Sequence, residues 1–350
     1  MFDDLVVFDL STVLAGPSVA TFFAELGAKV TKIEHPIHGD VTRTWRIPGE
    51  MQKVTSYFSS INYGKDYISK DLSLPSDYAW LLDQLPNVDL LIMNFKSTDY
   101  SKFNLTKDVL HSINPGLIVG TISGFGDNSD RIAYDLILQA ESGIMAMNGD
   151  PEGSPTKMPI ALIDILAAHQ LKEALLLALL KRENTNLGSW VSVSLYDAAV
   201  ASLANQASAF LMNGIIPTRM GSLHPNIAPY GEIFKTKDDK LVTFAVGSDR
   251  QFNTLCMLLG CESISSNIKY STNEDRVKNR TKLKEEIAPY VMTYHANELS
   301  DLALKHLIPL GIIKSLDQVF ETKEAKALIR EENQHSTNTK RVSQVAFKWN

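Results

Sequence analysis

The sequence predicts an α/β protein: a large domain built on a Rossmann-like parallel sheet, with a smaller α+β domain beside it. Three observations carry this. Short runs of apolar residues, of strand length, alternate with helical patterns through the first 214 residues, which is the signature of a doubly wound sheet. A stretch rich in Gly, Pro, Asn and His without clear period, residues 215–229, interrupts them and reads as a linker. A second set of strand and helix patterns follows from Tyr230.

In order, Leu5 to Leu10 reads as a buried strand, Ser18 to Leu26 as a helix ended by Gly27, and Lys29 to Glu34 as the next strand. The loop between the first strand and helix, Ser11 to Pro17, has no glycine triplet for a dinucleotide pyrophosphate, so the acidic Glu34 at the end of the second strand does not make an NAD site. Apolar strands recur at Asp89 to Met93 and Leu117 to Ile122, the latter after an Asn114-Pro115-Gly116 turn. A long helix from about Ile165 to Lys181, a strand at Val191 to Leu195 and one helix from Asp197 to Met212, closed by Asn213-Gly214, complete the large domain of residues 1–214. The small domain, 230–324, has strands at Tyr230 to Phe234 and Leu241 to Val246 and turns helical after Ser248. The tail, 325–350, is expected to complete the large domain, with Lys340 to Phe347 returning as an edge strand.

The chain has 350 residues, 44% hydrophobic and 21% charged, enough for one large core and a satellite. A net charge of -6 without a long basic block argues against nucleic acid as a partner. The longest strongly apolar run, Ala174 to Leu180, is too short for a membrane span, which takes about 20 residues. With an acidic start, Met1-Phe2-Asp3-Asp4, and no signal-like segment, the expected location is the cytoplasm. Cys256 and Cys261 have neither zinc nor redox spacing and read as buried thiols. His169 and Glu173 stand one helical turn apart, but no further ligand is in view and no metal is expected.

The most informative residue is Asp164, a lone acid inside the apolar run from Met158 to Ala168. Ionised carboxylates are seldom buried without partners, so Asp164 is either a cap or turn residue or has a chemical task. What surrounds it favours the task. Asp9-Leu10-Ser11, Leu14-Ala15-Gly16-Pro17, the run from Leu26 to Glu34, Gly39-Asp40-Val41-Thr42-Arg43, Asn62-Tyr63-Gly64-Lys65, Asn94-Phe95, Gly124-Phe125-Gly126, Tyr134-Asp135, Ser194 to Ala198, and His224 to Tyr230 follow one another in order. Together these segments resemble the class III CoA-transferases, the family of formyl-CoA transferase and carnitine CoA-transferase.

The resemblance implies that Asp164 is a covalent nucleophile, forming in turn a mixed anhydride and an aspartyl-CoA thioester, with coenzyme A entering as acyl-CoA and a small carboxylic acid as second substrate. It implies that Leu14 and Ala15 lie along the pantetheine arm, that Asn94, Phe95 and Lys96 line the nucleotide end, and that Lys102 and His35 stand where relatives carry cations toward CoA phosphates. Ala133, Tyr134 and Asp135 fall on family active-site positions, and an interlaced homodimer is expected. Tyr134 occupies the place where the related α-methylacyl-CoA racemase uses a His, and Tyr is a poor base at neutral pH, which favours transfer over an isomerase. Ile163 and Ile165, where relatives have small residues, leave a non-catalytic CoA-binding protein as the other alternative. Leu14 replaces the Gln that formyl-CoA transferase sets against its small acid, so a less polar acyl group is expected.

Overall fold

The computed structural model describes residues 1–334 and 336–348. The chain divides into two compact units: one comprises residues 1–146, 156–217 and the C-terminal stretch from Glu324, and the other comprises 147–155 and 218–323. The expected boundaries, at 214 and 230, lie on either side of the division at Pro217, and residues 147–155 go with the second unit.

The first unit is organised by six parallel strands: β1 Val6–Asp9, β2 Lys29–Glu34, β3 Lys65–Ser69, β4 Leu90–Met93, β5 Ile118–Ser123 and β6 Ser189–Ser194. Their spatial order, β3-β2-β1-β4-β5-β6, is that of the dinucleotide-binding fold. The direction of winding reverses between β1 and β4, and at such a switch point the loops leaving the two carboxyl ends part and open a crevice. Successive side chains of each strand point to opposite faces. Val7, Val30, Leu90, Ile92, Ile118 and Ile122 face one layer, made by α1 (Ala15–Glu25) and the later helix 162–185. Phe8, Leu10, Leu91, Met93, Leu117 and Val119 face the other, with Leu81, Leu85, Leu105 and Leu110. Both faces are covered, which is why these strands are nearly continuous apolar runs.

The remaining helices of this unit, in chain order, are α2 Ser56–Ser60, α3 Pro75–Gln84, α4 Ser97–Lys102, α5 Lys107–Ile113, α6 Asp135–Glu141, α7 Ile144–Met147, α8 Leu162–Thr185, α9 Leu195–Ala201 and α10 Ala204–Asn213. Three expectations are corrected here. Helix α8 starts at Leu162, so Asp164 lies inside its first turn instead of preceding it. The segment after β6 is two helices, not one; Ala204, at φ 46°, breaks it where no Gly or Pro announces a break. The tail does not join the main sheet but folds on itself as an antiparallel pair, β10 Ile329–Gln334 and β11 Thr337–Val342. These strands are polar, and a parallel sheet covered on both faces has no place for them. Instead the tail is tied down by Glu25 at the end of α1, which accepts from the Arg341 guanidinium, the Ser343 hydroxyl and the backbone N–H groups of Gln344 and Val345.

The second unit has an antiparallel sheet of β7 Tyr230–Lys235, β8 Leu241–Ala245 and β9 Leu310–Ile312. Phe234, Val242 and Phe244 pack against Phe252, Leu255 and Leu259 of helix 249–259, with Leu283, Ile287 and Leu299. Among the described residues no helix is long and apolar enough to cross a membrane.

Candidate active site

The loop between β1 and α1, Leu10 to Leu14, leaves the carboxyl end of β1 at the switch point. Asn94, just after β4, clips it from the other side: its Oδ1 accepts from the Thr12 N–H at 3.0 Å and its Nδ2 donates to the Thr12 carbonyl at 2.8 Å. Val13 sits at φ 73°, a left-handed conformation that costs a β-branched residue free energy and needs support from its surroundings. Its N–H donates to Asp40 Oδ1 at 3.3 Å. Gly16 completes the turn, because a Cβ there would collide with Ser11.

Asp40 belongs to a buried cluster of four charges under this loop. Lys65 Nζ stands 2.8 Å from Asp9, and Lys32 Nζ stands 3.2 Å from Asp40 and 3.7 Å from Asp9. All four side chains are sealed from solvent. Lys65 also donates to Asn62 Oδ1 and to the carbonyls of Pro17 and Ile61, Lys32 to the Ser11 carbonyl, and Ser11 to Asp9. Burial pushes the Asp9 carboxyl up, but Lys32, Lys65 and Ser11 outweigh it and hold it below its ordinary value. Burial brings Lys65 down to about 8 against the pull of Asp9. Two positive and two negative charges cancel, and the hydrogen bonds of Lys32, Asp40 and Ser11 fix the path of the loop above.

Three clefts meet around this loop. The first, of about 310 Å³, lies at the carboxyl ends of β1, β4 and β5 and is lined by Thr12, Val13, Asn94, Phe95, Lys96, Gly124, Arg131, Ala133 and Tyr134. Tyr134 is 50% exposed there. The second, of about 150 Å³, lies past β2 and β3, with His35, Lys70, Asp71, Phe95 and Phe103 in its walls. The His35 ring stacks on His38 with centroids 4.7 Å apart, and its Nε2 is 3.5 Å from Asp71. The third, of about 280 Å³, is lined by Leu14, Ser18, Ile61, Ile165, Ala168, His169, Lys172 and Gln344.

Asn94, Phe95, Lys96, Ala133 and Tyr134 thus come together in the first cleft, His35 shares the second with Phe95, and Leu14 faces the third. Ala15 is buried at the start of α1 and lines none of them. Lys102, at the end of α4, is exposed, with Nζ 5.1 Å from the Phe103 ring centroid, and stands outside all three.

Asp164 occupies the third position of α8. The helix lies against the sheet where Gly120 makes room, since a Cβ there would press on Leu175 at 3.1 Å. Ala161, at the cap position, has no side-chain acceptor, and the cap comes from elsewhere: Asp135, the first residue of α6, accepts from the Ile163 N–H at 2.7 Å, and its other oxygen accepts from Gln139 at 2.6 Å. This cap sets a second carboxylate beside Asp164. Asp164 is 7% exposed, and among the described residues nothing donates a hydrogen bond to its carboxylate. Burial, and then the Asp135 charge, push it up to about 7. Tyr57 on α2 feels the same carboxylates: burial first, then Asp164, Asp135 and Asp40, push its phenol up to about 12. Neither Tyr57 nor Lys172 stands out in the sequence as a site residue. Among the described residues no group of three or more His, Cys, Asp or Glu could hold a metal.

The comparisons with known proteins agree in kind. The family described as CoA-transferase family III matches residues 2–350. The chain is 34% identical over 330 residues to a succinate–glutarate CoA-transferase of Agrobacterium fabrum, covering 92% of this chain and 82% of that protein. It is 34% identical over 314 residues to an acetyl-CoA:oxalate CoA-transferase of Acetobacter aceti, covering 89% and 80%. A crystal structure of a CAIB/BAIF family protein from Brucella suis superposes with a TM-score of 0.84 at 32% identity, over 99% of this chain and 92% of that one. This chain is a member of CoA-transferase family III, an acyl-CoA-using transferase.

Proposed function

We propose that Asp164 carries the CoA from donor to acceptor acid through covalent intermediates. The observation that supports this is a buried carboxylate with no hydrogen-bond donor of its own, fixed on the first turn of a long helix whose start is capped from outside. A poorly hydrated carboxylate is a strong nucleophile, and a carboxylate is the group that can take up an acyl chain and return it with its activation intact.

The steps balance without net proton transfer. The Asp164 carboxylate attacks the thioester carbonyl, a C–O bond forms, the C–S bond breaks, and CoA leaves as thiolate with the electron pair. The thiolate attacks the Asp164 carbonyl of the mixed anhydride and expels the donor acid as carboxylate, leaving an aspartyl-CoA thioester. The acceptor carboxylate attacks that thioester, CoA leaves again, and its attack on the acceptor acyl carbon frees Asp164. In this reading CoA lies along Leu14 and in the first cleft among Asn94, Phe95, Lys96, Ala133 and Tyr134, with His35 toward its phosphates; Ala15, buried behind Leu14, backs the pantetheine arm, and Lys102 acts on the phosphates only from outside the clefts. The exposed Leu177, Leu180, Leu211 and Met212 on the first unit support an interlaced homodimer, since apolar patches of this kind tend to be covered by a partner.

The test is chemical capture. The protein is incubated with acyl-CoA, treated with hydroxylamine and digested, and the peptides are weighed. A hydroxamate on the Asp164 peptide, absent after Asp164→Asn, is expected. CoA exchange that proceeds with Asp164 unmodified would exclude the covalent route.

A further inference from the structure

Gln139, on the second turn of α6, is sealed from solvent, and both polar atoms of its carboxamide are used. Nε2 donates to Asp135 Oδ2 at 2.6 Å and to the Ile160 carbonyl at 3.4 Å, while Oε1 accepts from the Met158 N–H at 2.7 Å. The amide cannot be turned over, because the Met158 N–H requires an acceptor, whereas the Asp135 carboxylate and the Ile160 carbonyl require donors. Asp135 and Gln139 stand four residues apart on α6, the spacing at which helical side chains meet. One buried side chain thus ties together helix α6, the carboxylate that caps α8, and the irregular stretch 156–161 that leads into α8.

The consequence reaches Asp164. Asp135 Oδ1 accepts from the N–H of Ile163, the neighbour of Asp164 in the chain, at 2.7 Å, and the Asp135 charge acts on the Asp164 carboxyl. Both effects depend on where the Asp135 carboxylate points. Held only through Oδ1 it could swing about that bond; with Oδ2 held by Gln139 as well, its plane is fixed, as a fully satisfied buried network requires. The titratable groups that share this field are Asp164 on α8 and Tyr57 on α2. On the other segments beside α6, Asp197 of α9 and Lys157 are exposed, and so is Glu141 at the end of α6, which pairs with Arg131 at 2.7 Å.

We propose that Gln139 is a positioning residue for CoA transfer: by holding Asp135 and tethering the entry to α8, it fixes the helix start that presents Asp164. This rests on the role given to Asp164 above. Gln139 acts through Asp135 and touches no reacting atom.

The experiment replaces the donor by an acceptor. In Gln139→Glu the new carboxyl still accepts from the Met158 N–H but meets Asp135 oxygen to oxygen, and two carboxylates so close cannot both be ionised. At low pH a shared proton takes the place of the amide N–H; at high pH it is lost, the like charges part and Asp135 is released. The full-length protein, Gln139→Glu, and the double variant Asp135→Asn with Gln139→Glu, in which amide and carboxylate change places, are assayed for CoA transfer from succinyl-CoA to glutarate between pH 6 and pH 9. The kcat/KM of Gln139→Glu relative to wild type should fall at least roughly tenfold across that range, the worth of one hydrogen bond to a charged group, and the double variant should show no such fall. A smaller fall, or one that the double variant shares, overturns the proposal and leaves the role of Asp164 standing. The expected fall in a protein whose Asp164→Asn variant transfers CoA at full rate removes Asp164 and keeps Gln139. Hydrogen exchange of the peptide 158–166, read by mass spectrometry, needs no turnover and decides by itself if wild type does not use this pair of acids. At pH 9 it should be at least roughly tenfold faster in Gln139→Glu than in wild type, and at pH 6 equal; no difference at pH 9 overturns the proposal. If circular dichroism shows Gln139→Glu unfolded at pH 9, Gln139→Met takes its place. Lacking the donor at every pH, it should lose at least roughly tenfold in kcat with KM for succinyl-CoA within about twofold of wild type, and any other result overturns the proposal.

Discussion

Replacing Asp164 by Asn should stabilise this protein, and increasingly so as the pH rises. The carboxyl is pushed from an ordinary 3.8 to about 7 by burial and by Asp135. A carboxylate whose folded value lies above its unfolded value makes the folded chain bind more protons than the unfolded one between those two values, so it erodes stability as pH increases across that window. At about 1.4 kcal/mol for each decade of acidity, the cost of Asp164 is about 0.5 kcal/mol at pH 4 and about 4 kcal/mol at pH 8, then constant. Asn has nearly the same shape and never ionises. Urea denaturation of wild type and Asp164→Asn at pH 4, 6 and 8 reads the difference directly from the midpoints. The expected result is a variant that gains little at pH 4 and about 2–4 kcal/mol at pH 8. A gain independent of pH, or a loss that deepens toward pH 8, would mean that the carboxylate is well solvated or hydrogen-bonded when folded, and the reasoning about its reactivity would fall with it.

Two other perturbations probe the surroundings of that group. Asp135→Asn keeps an oxygen for the Ile163 N–H but removes the neighbouring charge, so the acid limb of kcat/KM should move to lower pH by roughly half to one unit; a limb that stays in place or moves upward refutes the coupling of the two carboxylates. Lys65→Met leaves Asp9 buried with only Lys32, at 3.7 Å, as counter-charge, and should cost about 3–5 kcal/mol in urea denaturation, whereas a loss below about 1 kcal/mol would show that the four-charge cluster carries little of the support for the loop at Val13.

The class of fold was legible because a parallel sheet covered on both faces demands apolar strands, and Val6 to Asp9, Leu90 to Met93 and Ile118 to Ser123 are too apolar for anything else. Strand β3 carries no clear strand pattern since, as the edge of the sheet, Lys65 to Ser69 is only partly covered and reads as polar. The sequence pattern puts the start of α8 three residues too late, because Ala161 offers no capping side chain and the acceptor, Asp135, is supplied from 28 residues away. The break between α9 and α10 had no Gly or Pro to mark it. Asp9, Lys32, Asp40 and Lys65 were visible within family-like motifs, but nothing local tells four charges that they will neutralise one another.

Chain order and composition were sufficient for the alternation of strands and helices, for the family, and for singling out Asp164, because a charge in an apolar run is conspicuous along one dimension. Only tertiary structure decided its company: Asp135 beside it and Tyr57 within reach of its field. Electrostatic energy and burial depend on distance through space, and residues 40 to 180 positions from the chain's start meet at Asp164 only once the sheet has wound and its helices have packed.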